Sequence, residues 1–275
     1  MFKRSFTIAG LSVLLAFPVV SVAASSDISA NVLKAMDGEH RSDKNKQRNV
    51  YRHPLETLQF FELDADMSVV EIWPGGGWYT EILAPVLKDQ GEFYAAGFSK
   101  VAKRTPKWRK DFQLRFEAKL TNDPQNYSAV KVTDLAIPER PEIAPANSVD
   151  RVFTFRNVHN WMKGEYADGV FSSMYAALKP GGILGIVEHR AKPGTSLNDM
   201  IVSGYVTEAK MIELAETAGF RLLGKSEVNA NVKDTKDHPK GVWSLPPTLR
   251  LKEVDRDKYL AIGESDRMTL KFIKD

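Results

Sequence analysis

The run Val69-Val70-Glu71-Ile72-Trp73-Pro74-Gly75-Gly76-Gly77-Trp78-Tyr79-Thr80 holds the residues of this chain best suited to gripping a ligand. An apolar strand pattern ends in a carboxylate, a glycine turn and a helix start. Glycines let the backbone turn sharply and approach a guest without side-chain interference, and the first amides of the next helix point outward as unpaired donors. In open α/β sheets, ligands sit just beyond such strand ends. A glycine turn with a purely structural role reads the same way, so the rest of the chain must decide. Asp234, Asp237 and His238 offer oxygen and nitrogen ligands, but their spacing matches no strong metal site and the chain has no cysteine, so no metal is expected.

The elements that must position the turn follow from periodicity. From Ser68 onward, β-branched or apolar runs alternate with helical periods. Strands are expected near 68–73, 92–97, 129–133, 150–155 and 183–188, with helices near 78–87, 107–120 and 166–178 between them. Such alternation builds right-handed crossovers and a mostly parallel, doubly wound sheet. A further helix is marked by Thr207 as N-cap, Glu208 in the first turn, the apolar set Met211, Leu214 and Ala218, and Gly219 at its end. Strands near 221–228 and 268–273 flank a polar, proline-bearing insertion, 229–263, and can pair as an antiparallel hairpin at the sheet edge. Residues 25–67 read as a helical lead-in whose amphipathic part, from Val50 to about Leu63, docks on the core. One domain, 68–275, with a cap-like insertion is expected.

The first 24 residues carry Lys3 and Arg4, an apolar stretch from Ile8 to Val20 and the small-residue end Ser21-Val22-Ala23-Ala24. This is a secretory signal peptide pattern, with cleavage after Ala23 or Ala24 and a periplasmic product. The apolar stretch is short for a membrane-spanning helix, so no stable membrane anchor is expected. Losing Lys3 and Arg4 takes the formal charge from +3 to +1. A nearly neutral chain lacks the broad basic footprint of a nucleic-acid binder, and the cluster from Lys100 to Lys110 reads as a solvated helix face.

The strand-turn-helix at 71–80, the segment Asp150-Arg151-Val152-Phe153-Thr154-Phe155-Arg156-Asn157-Val158-His159-Asn160-Trp161, and Ala177-Leu178-Lys179-Pro180-Gly181-Gly182-Ile183-Leu184 together resemble class I S-adenosylmethionine-dependent methyltransferases. More narrowly, the chain resembles a bacterial group of predicted methyltransferases carrying signal peptides. The resemblance spans about Val50 to the C-terminus. It implies a Rossmann-like sheet of seven strands with the last antiparallel, and S-adenosylmethionine as cofactor.

Carried over by position, the resemblance puts Glu71 in the place of the acid that closes the first strand and Gly75 and Gly77 in two of three glycine places, with Gly76 between them. Trp73 stands in the remaining glycine place, where its indole either narrows the pocket or points into the sheet. The acid that usually ends the second strand and binds the ribose hydroxyls falls on or beside Gly97. A charge-assisted hydrogen bond worth roughly 1.5 to 3 kcal/mol is then lost unless another residue supplies it. Asp134 fits a place that faces the adenine amino group, or it is a turn former. Asn157, His159 and Asn160 follow the fourth strand, close to where the acceptor would lie. Asn157 is assigned with the cofactor set and His159 as general base, against the alternative of a locally hydrogen-bonded turn residue. His189 and Arg190, after Glu188, would recognise the acceptor or form an internal ion network. Trp243 and Pro246-Pro247 would pin the insertion or line an acceptor pocket, with Tyr51, Arg52 and His53 doing the same from the N-terminal side.

Two functions are open at this stage. One is methyl transfer from S-adenosylmethionine to a small or cell-envelope acceptor. The other is a periplasmic ligand-binding protein that keeps the fold without the transfer chemistry, as Trp73 and Gly97 suggest.

Overall fold

The computed structural model describes residues 24–275. The expected signal peptide lies outside the described residues apart from Ala24, where the first helix begins. Among the described residues, no helix is long and apolar enough to cross a membrane.

The lead-in forms four helices: α1 (Ala24–Asp37), α2 (Asp43–Lys46), α3 (Asn49–Arg52) and α4 (Pro54–Phe60). The single amphipathic segment expected from Val50 breaks at His53, which adopts φ 38° ahead of Pro54. The proline ring clashes with a helical conformation at the preceding residue, so the chain turns there. Val32 and Ala35 of α1, with Leu58, Phe61 and Leu63, are buried in one core layer with Ile82, Leu83, Phe93 and Phe153. The lead-in therefore shares a core layer with the sheet and α5.

The sheet has seven strands: β1 (Ser68–Ile72), β2 (Glu92–Phe98), β3 (Val130–Leu135), β4 (Val149–Phe155), β5 (Leu178–His189), β6 (Phe220–Ser226) and β7 (Arg267–Lys274). Their order is β3-β2-β1-β4-β5-β7-β6. All neighbours from β3 to β5 are parallel, and β7 runs antiparallel to both β5 and β6. Between the strands lie α5 (Thr80–Leu87), α6 (Lys107–Asn122), α7 (Pro124–Tyr127), α8 (Val158–Lys163), α9 (Ala167–Ala177), α10 (Leu197–Ser203), α11 (Glu208–Thr217) and α12 (Arg256–Ile262). Thr207 caps α11 as expected, its hydroxyl accepting from the Lys210 N–H at 3.1 Å. The short helices α8 and α10 are not marked by periodicity, because six or seven residues give less than two turns of pattern.

Central strands are apolar on both faces, as a sheet covered on two sides requires. One layer packs α8, α9 and α11 through Trp161, Phe171, Met174 and Met211; the other packs the lead-in and α5. The chain leaves β1 toward β2 and β3, then returns to β4 on the other side of β1. This reversal opens a crevice at the C-terminal ends of β1 and β4.

The insertion is fastened to the domain. The buried Asp234 carboxylate accepts from the Tyr205 hydroxyl at 3.0 Å and the Asp266 N–H at 2.8 Å, and meets His238 Nε2 at 2.9 Å. Asp234 and His238 thus anchor a loop, which accounts for this polar pair without a metal.

Gly185 of β5 lies under the Phe61 ring, which stacks on Phe153; a Cβ at Gly185 would stand 2.6 Å from Phe61 Cδ2. Gly185→Val is expected to lower stability by about 1–3 kcal/mol through overpacking. Urea denaturation checks this, and an unchanged midpoint would contradict the docking of the lead-in on β5.

Candidate functional site

A polar cavity of about 340 Å³ opens at the C-terminal ends of β1 and β4, where the sheet order reverses. Gly75, Gly76, Asn157, His159, His189 and Trp243 all line it. Gly75 sits at φ 62°, a left-handed conformation that glycine adopts without strain. Gly76 faces open space, and its carbonyl accepts from Lys119 Nζ at 3.1 Å. Gly77, at φ 80°, faces α6 instead, where a Cβ would stand 3.0 Å from Phe116. It shapes the turn and does not line the cavity.

Glu188, at the end of β5, organises the far wall. Its Oε2 accepts from the backbone N–H groups of Val158 (2.7 Å) and His159 (3.3 Å), satisfying donors at the start of α8. Its Oε1 meets His159 Nδ1 at 3.1 Å and accepts from the His189 N–H at 2.8 Å. A carboxylate at Nδ1 fixes the tautomer with the proton there, so Nε2 is an acceptor, facing Asn160 Nδ2 at 3.0 Å. His189 Nδ1 lies 2.6 Å from the Ser265 hydroxyl. Burial first, and then the neighbouring His159 and the guanidiniums of Arg156 and Arg267, hold its pKa well below the ordinary histidine value. One ligand atom from each of His159, Glu188 and His189 lies within 4.8 Å of the others, close enough to share a metal ion. Two features oppose that use. Four N–H groups already occupy the Glu188 oxygens, and Arg48, Arg52 and Arg156 line the same cavity.

The structure resolves the two alternatives for Trp73. The residue adopts φ 46° and lines both the cavity and a crevice beside the ends of β2 and β3, where its indole packs. Its ring centroid lies 4.7 Å from Phe98, 5.9 Å from Trp161 and 6.2 Å from Tyr166, with the Arg109 guanidinium 4.5 Å above it. Nε1 donates to the Leu135 carbonyl at 3.4 Å. About 50 Å³ of space remains in that crevice. On this measure a water needs about 10–15 Å³, so the remaining space admits a few waters and no purine ring. At Gly97 the side chain of Gln113 fills the place of a longer residue, its Oε1 only 2.1 Å from where a Cβ would lie. That oxygen accepts from the Phe98 N–H at 3.0 Å.

The other expected site residues divide. Asn157 lines the cavity, and its Nδ2 donates to the Ile72 carbonyl at 2.9 Å, tying β4 to β1. Trp243 lies 6.0 Å from the His159 ring and, with Arg52 and Pro246-Pro247, lines the same cavity. Asp134 pairs with Arg140 at 3.1 Å and lines a separate groove with Val132 and Gln113. Arg190 belongs to an ion network with Asp266, Glu208 and Glu227 and does not reach the cavity. Sequence reasoning missed Arg48, Arg156 and Glu264, which also line it. Arg156 carries one sequence signal, a cation directly after an apolar strand, and it adopts φ 62°.

Glu71 is buried beneath the turn and does not line the cavity; Thr80 Oγ1 donates to its Oε2 at 2.6 Å, joining strand end to helix start. Burial pushes its pKa up to about 7, while Thr80 and Lys119 pull the other way. Between pH 4.5 and 7 the unfolded chain releases this proton and the folded chain keeps it. Stability therefore falls as pH rises through that window, by on the order of 3 kcal/mol, and is flat above it. Glu71→Gln is expected to remove that slope. Thermal melting against pH checks this, and parallel curves for the two proteins would contradict it.

No protein-family model matches the chain, and no curated protein sequence does. Solved structures do match it in fold. An S-adenosylmethionine-dependent methyltransferase from Aquifex aeolicus superposes with a TM-score of 0.55 at 16% identity, covering 90% of this chain and 98% of its own. The cycloaddition enzyme SpnF, a cyclase, superposes with a TM-score of 0.56 at 15% identity, covering 91% of this chain and 94% of its own. The seven-stranded architecture expected from the sequence is thus the class I methyltransferase fold, one that a cyclase also uses.

Proposed function

We propose that the chain is a periplasmic methyltransferase that takes S-adenosylmethionine and acts on a small or cell-envelope acceptor. The observation that carries this reading is the meeting, in one cavity of this fold, of an open-faced glycine turn at Gly75-Gly76 and the carboxylate-held imidazole of His159. The leader pattern supports the compartment. When bound, S-adenosylmethionine supplies an electrophilic methyl group. Gly75 and Gly76 would bear on its amino-acid half, Trp243 and His189 would wall the acceptor, and His159 Nε2 would accept the acceptor's proton. The amino-acid half fits this cavity. The nucleoside half does not fit the crevice that the Trp73 indole and Arg109 fill, and it enters only if those side chains leave.

A second reading, a ligand-binding protein that keeps the fold without transfer, is favoured by that same filled crevice. Titration calorimetry of the mature protein and of Trp73→Gly with S-adenosylmethionine separates the two. Glycine suits the left-handed conformation at position 73 and empties the crevice. The expected result is binding by both proteins, roughly tenfold or more tighter in the variant, a difference of about 1.4 kcal/mol. Absence of heat and of thermal stabilisation in both at millimolar ligand would overturn the methyltransferase reading. Once an acceptor is in hand, His159→Ala is expected to spare cofactor affinity and slow transfer; an unchanged rate would remove His159 as the base.

A further inference from the structure

The floor of the cavity carries more positive charge than the protein neutralises. Glu264 meets Arg48 Nε at 2.6 Å, Arg52 Nε at 3.2 Å and Arg267 Nη2 at 3.0 Å. Arg156 lines the same cavity, and among the described residues its side chain makes no hydrogen bond or ion pair. Arg52 and Arg267 are 1% and 2% exposed, and Glu264 is 4% exposed. Glu264 is the sole carboxylate among the residues that line the cavity; behind that lining Glu188 meets His159, and Glu81 meets Asn45 but is already paired with Arg41 and Lys119. Four guanidiniums against Glu264 and Glu188 leave an excess of two positive charges. Guanidinium stays protonated in proteins, so this excess is not relieved by loss of a proton at neutral pH. Two buried donors are unused as well: Arg52 Nη1 and Arg48 Nη2 find no acceptor in the protein. Arg156 is half-buried and unpaired, and the unused N–H groups of Arg52 and Arg48 are buried; both cost stability, and a bound anion offsets both.

We propose that this cavity binds a dianionic phosphate monoester, with the phosphoryl oxygens held by Arg48, Arg52 and Arg156 and the organic part lying against Trp243. The proposal rests on the charge and donors of the cavity floor, and holds whether or not the glycine turn takes a methyl donor. Three features select the class. A phosphate ester carries close to two negative charges at neutral pH, matching the excess. Guanidinium forks fit phosphate oxygens in paired hydrogen bonds. Trp243, Trp78, Phe155 and the Pro246-Pro247 pair provide apolar walls for a carbon skeleton. Burial foremost, and then Arg267 and Arg48 against the opposing pull of Glu264, bring the Arg156 pKa down to about 10.

The probe is phenyl phosphate, titrated into the full protein by calorimetry and thermal melting at pH 8, with benzenesulfonate as the monoanionic control. Phenyl phosphate is expected to bind roughly tenfold or more tighter than benzenesulfonate and to raise the melting temperature. Arg156→Gln removes an unpartnered cation, so the ligand-free variant is expected to melt no lower than the parent, while its affinity for phenyl phosphate falls roughly tenfold or more. Vesicles containing phosphatidic acid distinguish the source of the phosphate. Sedimentation of the protein with them, reversed by phenyl phosphate, assigns the site to a lipid headgroup; no sedimentation assigns it to a soluble ester. Stabilisation no greater than that from sodium chloride of equal ionic strength would overturn the proposal. So would equal affinity for the two probes, or an affinity that Arg156→Gln leaves unchanged.

Discussion

One buried carboxylate, Glu264, fastens the beginning of the domain to its end. Arg48 and Arg52 on the lead-in reach it across 216 and 212 residues of chain, and Arg267 reaches it from the first residue of β7. Three cations on one anion hold the Glu264 pKa well below the ordinary range, against the burial that pushes it upward. Such a cluster contributes little net stability after desolvation, but removing the carboxylate alone would leave buried cations facing one another. The lead-in is therefore committed to this place, and with it the floor of the cavity.

The same fold positions two spaces with opposite character. On the β4 side of the glycine turn lies a polar cavity rich in guanidinium and imidazole groups. On the β2 side lies a crevice closed by aromatic rings, with the Arg109 guanidinium over both Trp73 and Phe98. The left-handed backbone at Trp73 sends the indole into that crevice; a glycine there would leave it open. Since the fold serves both a methyltransferase and a cyclase among its solved examples, the chemistry must be argued from these spaces and not from the sheet.

Much of the architecture is legible in the sequence because its signals are local. Apolar runs mark the strand ends to within two residues except at β5, which begins at Leu178, five residues before the expected start; Thr207 marks a helix start, and Gly75 announces the turn. His159, Asn157 and Trp243 line the cavity because they follow a strand end or sit in an insertion that folds back. The failures are of long range. Arg48, Arg156, Glu264 and Arg267 are scattered among ordinary charged residues, and only the sheet order brings them together. Arg190 and Asp134 stand at strand ends too, yet nearby opposite charges satisfy them outside the cavity. A strand end supplies opportunity; unspent charge is what distinguishes the site.

Diffraction from crystals soaked in tungstate, a tetrahedral dianion with strong anomalous scattering, shows whether a phosphate-like ligand sits on the arginine floor of the cavity. An anomalous peak is expected within hydrogen-bonding distance of Arg52 and Arg156, with Trp73 still in its crevice. Peaks confined to surface lysines, with none in the cavity, would contradict it.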